Sequence, residues 1–538
     1  MEKNNSLGEN FDTEGDLDGR GVEPITEGTD TKKLVSRPDI PVWKITLSLV
    51  LLFLNYFLAQ YDKFVLSYFQ KDVIKSLSLS SPAYGILSGY ATGIVYALLA
   101  LPAAYIADYT DARVWVLTVS ALWWSLCAIF QGLSHNFWQI LLARIGMGIG
   151  QAPVEALSVS LISDLMGKEY VFFGERYELL IKKRFSPLMT NIYSSVLYVG
   201  VYIGEAVSGQ LAGTRKLQWN TALIAIGIVG IVVAIFIRVL IREPWRQTSL
   251  INLDAFNSLG EHSGSVSRTK ISYAYQDAKS TFSYLSRMRS FWLLALSASF
   301  RQLSGNVFGY YMPTYLSDLY PSHPDILAKY GIIVGAVGSV AVLLGGLVTS
   351  AFWDRTKTLP LYLVGVGGMF SSIFALLMIF SRSVKGSGSE ESGIKALYGT
   401  MSVAYLTAEL WLGAINSLIV LLLPPRYKTF GLSIWAATQV LIYSAGPEII
   451  GLALRNTDSS SQAYIDGTRI ALAILIPVGY WLAGIGFLLS IPLVRRDLAG
   501  EFVQGKLGTS RKISFVTFGV TVAVMVIILF VVSIVYKA

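Results

Sequence analysis

ALPAAYIADYTDARVW (Ala100–Trp115) and GGLVTSAFWDRTK (Gly345–Lys357) are two versions of one pattern. Each starts as an apolar stretch rich in small residues and ends on an acid with a base close behind, Asp108 with Arg113 and Asp354 with Arg355. The two aspartates lie 246 positions apart. Ordinary charge at the end of a membrane span explains either copy alone and explains the pair less well, so the chain reads as an internal repeat. Ala103, Ala104 and Ala107 let helices approach closely at this edge. An acid and a base placed there can form a charge latch between helix ends, which makes Asp108, Arg113, Asp354 and Arg355 the candidate latch residues.

Outward from the repeat, composition sets the class. Of 538 residues, 53% are hydrophobic and 14% charged, against a charged share of roughly 25% in soluble domains. Mean hydropathy is +0.54, which excludes an ordinary soluble enzyme. A bilayer crossing needs about 20 apolar residues. Such runs occur at Trp43–Phe69, Pro82–Ala107, Val114–Ser134, Trp138–Met166, Ser186–Ala212 and Leu217–Leu240, a first group of six. A second six runs Phe291–Leu316, Lys329–Trp353, Leu359–Phe380, Ala396–Leu423, Thr429–Leu454 and Thr468–Val494. The expected fold is all-α and polytopic, with two six-helix bundles at 42–241 and 291–496. A cytosolic linker at 242–290 joins them, and a disordered, acidic, cytosolic and uncleaved tail at 1–41 precedes them. After a second linker at 497–513, the charge-free run Phe515–Tyr536 within 514–538 reads as an additional transmembrane helix.

The net charge of +8 is explained by placement. With the tail inside, the inner loops collect most of the Lys and Arg, among them Lys182, Lys183, Arg184, Arg242, Arg246, Arg426 and Lys428, as the positive-inside rule requires. Nucleic-acid binding is therefore not expected. One cysteine, Cys127, permits no internal disulfide, and three histidines in polar stretches supply no metal site. GEFVQGKL (Gly500–Leu507) has the glycine and lysine spacing of a nucleotide loop. Leu507 stands where the magnesium-binding hydroxyl belongs, and no strand precedes it, so no nucleotide, metal or other cofactor is expected.

The repeat motif resembles that of the major facilitator superfamily, which implies the major facilitator fold and alternating access. It departs from the common form at Ala104 and Ala107, where glycine is usual, and at Tyr109, where arginine is. A closer resemblance is to the Spinster-like branch. It rests on AQYDKFVL (Ala59–Leu66), LARIGMGIGQAPVEALSVSLISDLM (Leu142–Met166), Arg242-Glu243-Pro244, and LWLGAINSLIVLLLPPRYKTFGLSIWAATQVLIYSAGPEIIG (Leu410–Gly451). Gly150-Gln151-Ala152 stands where that branch has Gly-Glu-Ala, so a proton carrier is missing there unless Glu155 substitutes.

Ionisable residues inside a span cost roughly 2.5 to 3.5 kcal/mol each and are functional candidates. Most lie in the first, fourth, seventh and tenth spans, the ones that line the central cavity in the superfamily. The candidate substrate-binding or coupling residues are Asp62, Lys63, Arg144, Gln151, Glu155, Arg301, Gln302, Asn306, Glu409 and Asn416. Arg144, Gln151 and Glu155 are seven and four residues apart, which puts them on one helical stripe. Asp62 and Arg144 fall at similar depth and form a candidate pair. No cation is legible at the depth of Glu155, making it the preferred proton carrier. Glu205 and Glu448, on other helices, are expected to make local or interfacial contacts.

The leading function is a secondary active transporter, an integral multi-pass protein of the lipid bilayer and not an enzyme. The Spinster resemblance implies an amphiphilic lysolipid or sphingoid-phosphate substrate with proton involvement. The charges suit a small organic anion or sugar as well, and a receptor-like pseudo-transporter is a third alternative that the retained cavity charges argue against. Late endosomal, lysosomal and plasma membranes remain open alternatives.

Overall fold

The computed structural model describes residues 41–109, 112–165, 196, 199–213, 217–243, 278–353, 355–383, 390–423, 428–459, 461–499 and 509–536. The acidic tail, most of the linker after residue 243 and the Gly500–Leu507 loop lie outside these residues. So do Asp354 and the side chain of Asp108.

Among the described residues the spans are helical, because a backbone in hydrocarbon has to satisfy its polar groups within its own segment. The first half holds α1 (Val42–Tyr68), α2 (Gln70–Ser76), α3 (Ser81–Ser88), α4 (Tyr90–Tyr109), α5 (Arg113–Gly132), α6 (Phe137–Gln151), α7 (Val154–Leu165), the helical residues 199–213, and α8 (Trp219–Leu240). The second half holds α9 (Arg289–Leu319), α10 (Ile326–Phe352), α11 (Leu359–Ile379), α12 (Glu390–Leu422), α13 (Lys428–Tyr443), α14 (Ala445–Ala453) and α15 (Gln462–Leu498), and α16 (Thr509–Val535) follows. Polar side chains start several of them. Ser80 caps α3 through the Ala83 N–H, Asn136 caps α6 and Ser461 caps α15, each satisfying a donor that the first turn leaves open.

Among the described residues, ten helices are long and apolar enough to cross a membrane by length and composition. The remaining three of the thirteen expected spans have local explanations. Only 199–213 of the fifth is described. The seventh, α9, is 31 residues long but carries Arg301, Asn306 and Asp318. The eleventh is divided at Ser444 into α13 and α14, three residues before Pro447. The fourth is divided likewise at Ala152 and Pro153, where a missing N–H interrupts the helical ladder.

The two halves meet through α1 against α9, α4 and α3 against α13 and α14, and 199–213 against α10. At the far end of the bundle, where the first two spans are joined, these contacts are close. Lys71 pairs with Asp318, Gln70 donates to Tyr464 at 3.0 Å, and Gln210 donates to the Ala328 carbonyl at 2.9 Å. Glycine makes two of these crossings possible. A Cβ on Gly209 would sit 2.6 Å from the Leu327 carbonyl oxygen, and one on Gly451 would sit 2.7 Å from that of Ser81. The helix α16 packs on α3 and α14, with Val526 in a cluster with Tyr90 and Ala445. Its opposite face exposes Val520, Val524, Ile527 and Val531. Its end reaches the far end of the bundle, where Arg455 lies over the Tyr536 ring at 4.7 Å.

Candidate functional site

Between the halves lies a cavity of about 220 Å³. Of the ten candidate residues, nine line it, and the tenth, Asp62, is fully buried behind Arg144. The first-half cluster starts on α1 and α6. Arg144 Nη1 lies 3.7 Å from Asp62 Oδ2, and both side chains are buried. Neither Nε nor Nη2 of Arg144 has a hydrogen-bond partner among the described residues. The arginine is thus neutralised by an aspartate yet keeps donors unused, a costly arrangement for a buried charge unless another acceptor arrives.

The second half reverses the order of acid and base. Here the arginine is on the first helix of the repeat and the carboxylate on the fourth, Arg301 on α9 and Glu409 on α12. Arg301 Nη2 donates to Glu409 Oε1 and to the Ala408 carbonyl, each at 2.9 Å. Its guanidinium also stacks over Tyr480 at 4.5 Å and Trp411 at 5.3 Å, contacts suited to a planar cation. Glu409 accepts a second bond, at 2.6 Å, from Tyr202 in the fifth span. Arg301 is held on several sides, whereas Arg144 is held by one.

Gln151, at the end of α6, donates to the Ala59 carbonyl at 3.3 Å, and Arg144, Gln151 and Glu155 all face the cavity across the Pro153 break. Gln302, Asn306 and Asn416 add neutral polar groups to the wall. Two expectations are corrected here. Lys63 lies within electrostatic reach of both Glu155 and Glu205 and stacks over Tyr443 at 5.1 Å, so Glu155 does face a cation. That cation comes from α1, a helix remote in sequence. Glu205 lines the cavity as well, because the fifth span forms part of the wall. Glu448 lies outside the cavity lining and accepts from Ser533 of α16 at 3.4 Å, a contact between helices 85 positions apart.

Sequence reasoning missed Tyr202 and most of the aromatic lining, including Tyr56, Tyr96, Trp435 and Tyr443. Aromatic residues in apolar helices carry no signal that separates cavity from core. Of the candidate latch residues, Arg113 is buried, and its Nε pairs with Glu243 Oε1 at 2.7 Å while the other Glu243 oxygen accepts the Val114 N–H at 2.8 Å. The Arg242-Glu243-Pro244 string was the available clue to that carboxylate. Arg355 is exposed on the turn after α10.

The sequence profile of the Major Facilitator Superfamily matches residues 52–447. The chain belongs to this superfamily. Members of the superfamily are transporters and not enzymes, so the protein is an integral multi-pass membrane transporter. Relatives include a probable L-galactonate transporter of Escherichia coli (strain K12), 26% identical over 307 residues that cover 56% of this chain and 61% of that protein. The chain therefore spans less than two thirds of that relative. A sphingosine-1-phosphate transporter of Danio rerio is 20% identical, with 75% of this chain and 74% of that protein covered. Among solved structures, a bacterial homologue of the human lysosomal transporter Spinster, inward-facing and occupied, superposes with a TM-score of 0.60 at 19% identity. That superposition covers 84% of this chain and 98% of the other. The match extends the Spinster-like resemblance to the fold of both halves.

Proposed function

We infer that this major facilitator protein is a secondary active transporter that binds an anionic organic substrate in the central cavity and moves it by alternating access with a proton. The observation that carries this is Arg144, a buried arginine on the cavity wall with two nitrogens not hydrogen-bonded among the described residues. A phosphate or carboxylate group would complete its bonding by charge-assisted hydrogen bonds. The far-end ties of Lys71 to Asp318 and Gln210 to Ala328 describe a state closed at that end, one of the two that alternating access needs.

Charge balance supports the proton. The cavity and its immediate wall hold Lys63, Arg144 and Arg301 against Asp62, Glu155, Glu205 and Glu409, three cations facing four carboxylates. A buried site with one excess negative charge is relieved by a bound proton, and an anionic substrate increases that demand.

The substrate class assigned is an amphiphilic lysolipid or sphingoid phosphate, in keeping with the Spinster-like relatives and with the aromatic wall that flanks the arginines. A sugar acid is the second reading, favoured by the L-galactonate transporter relative and by the modest cavity volume. Uptake into proteoliposomes, with and without an imposed pH gradient, tests both using labelled lysophospholipid, sphingoid phosphate and hexonate. Saturable, gradient-dependent uptake of the lipids alone is expected. Uptake of hexonate alone would replace the lipid assignment with the sugar-acid one, and uptake of neither would remove both.

A further inference from the structure

Glu448 is fully buried, stands outside the central cavity and takes no part in the substrate site. It lies on α14 at the far-end crossing with α3, where backbones come so close that a Cβ on Gly85 would sit 3.1 Å from the Glu448 Cα. One carboxylate oxygen accepts from Ser533 of α16 at 3.4 Å, and the backbone N–H of Tyr90, at the start of α4, also points to the carboxyl. The titratable groups that face it are tyrosines, Tyr90 from α4 and Tyr311 from α9. From α16 the facing group is Ser533, and α3 carries no ionisable side chain except Tyr84. No lysine, arginine or histidine pairs with Glu448 among the described residues.

Its place in the repeat sharpens the point. Glu205 lies 243 positions earlier, close to the offset of 246 that separates the two latch aspartates. The fifth and eleventh spans are equivalent helices of the two halves, and each carries its glutamate at a seam between them. Glu205 faces Lys63 and the central cavity. Glu448 faces neither, and α16 covers it.

We propose that Glu448, with Ser533 of α16 as its lid, is a second proton-binding site outside the substrate cavity, whose occupancy holds the seam between the second and eleventh spans closed at the far end. An ionised carboxylate with no cation beside it is expensive to bury, whereas a carboxylic acid is a neutral group with a donor to offer. Closing α14 onto α3 removes Glu448 from water and takes up one proton. Opening hydrates the group and releases it. The thirteenth helix tightens this coupling, because it excludes lipid and water from the outer side of the same carboxyl.

The inference rests on the alternating-access reading, and its test observes the seam directly. In a Cys127→Ser background, Ala83→Cys places one thiol at a buried position of α3. The full-length protein in nanodiscs is exposed to a polar maleimide at about pH 5.5 and about pH 8.5, on either side of neutrality. Each rate is divided by that of a solvent-exposed thiol labelled at the same pH, which cancels the pH dependence of the thiolate itself. This normalised labelling is expected to be about tenfold faster at the higher pH, equivalent to ~1.4 kcal/mol of seam opening. Glu448→Gln, which keeps the shape and removes the charge, is expected to label at the slow rate at both pH values. Glu448→Asp, which keeps the carboxyl, is expected to retain the acceleration. Parental labelling without pH dependence, fast labelling of Glu448→Gln at high pH, or Glu448→Asp behaving as Glu448→Gln would each overturn the proposal. Loss of substrate uptake with this labelling pattern intact would fault the transport assignment alone.

Discussion

Tyr202 donates its hydroxyl to Glu409 at 2.6 Å, joining the fifth span of one half to the tenth of the other. The same carboxylate holds Arg301 at 2.9 Å, so one side chain ties an ion pair within its half to a hydrogen bond between halves. Hydrogen bonds to charged groups contribute about 1.5 to 3 kcal/mol. Tyr202→Phe is expected to destabilise the folded, far-end-closed protein by that amount. A double-mutant cycle with Glu409→Gln in thermal unfolding should return a coupling energy of similar size. Simple additivity of the two changes would show that the bond contributes nothing.

Arg144→Gln is expected to weaken substrate binding by tenfold or more while leaving the protein folded, since the variant removes the donors that an anionic group would meet. Asp62→Asn is expected to lower stability by ~3 to 5 kcal/mol, because it leaves the buried Arg144 without its counter-charge. Binding isotherms and melting curves of the two variants separate these effects. Equal losses of stability in both would assign the pair a purely structural role.

Glu155→Gln should retain substrate exchange and lose the dependence of net uptake on the pH gradient. Lys63 then balances Glu205 alone, and three cations face three carboxylates with no proton required. The measurement is counterflow compared with gradient-driven uptake in the same liposomes. Uptake that follows the gradient as in the parent transfers the proton to another carboxylate, Asp62, Glu205 or Glu409 of the cavity wall or Glu448 of the seam.

Gly209→Val is expected to hold the seam between the fifth and eighth spans apart, since even its Cβ would meet the Leu327 carbonyl oxygen at 2.6 Å. Overpacking of this kind costs about 1 to 3 kcal/mol. The cost falls on the closed far end, so labelling of a far-end thiol should accelerate roughly tenfold. Unchanged labelling would mean that the closed state tolerates the side chain by shifting α10.

Truncation after residue 508 removes α16 and uncovers Tyr90, Ala445 and Glu448. The remaining twelve spans should fold, with a melting temperature lower by several degrees, as expected for a ΔΔG of one to a few kcal/mol. In the full-length chain, epitopes at the two termini should be protected on opposite sides of the membrane. Same-side protection would show that α16 lies against the bundle without crossing.

Hydropathy and charge are local properties, and what depends on them was legible in the chain itself. The run of apolar helices, the C-terminal one included, the repeat of Asp108 and Asp354, and the gathering of charge on the first, fourth, seventh and tenth spans all follow from composition read along the sequence. The stripe of Arg144, Gln151 and Glu155 follows from helical periodicity. Tertiary structure decided what depends on how helices are rotated and crossed. Glu205 and Glu448 look alike in sequence, each a lone acid in an apolar helix. One faces a cavity with Lys63, and the other lies under Ser533, 85 positions away. Arg113 meets Glu243 across 130 positions, and Tyr202 meets Glu409 across 207. Such partners are set by close backbone approaches such as Gly209 to Leu327 and Gly451 to Ser81, which fix helix rotation. A small residue signals that an approach is possible, and only packing selects the helix that makes it.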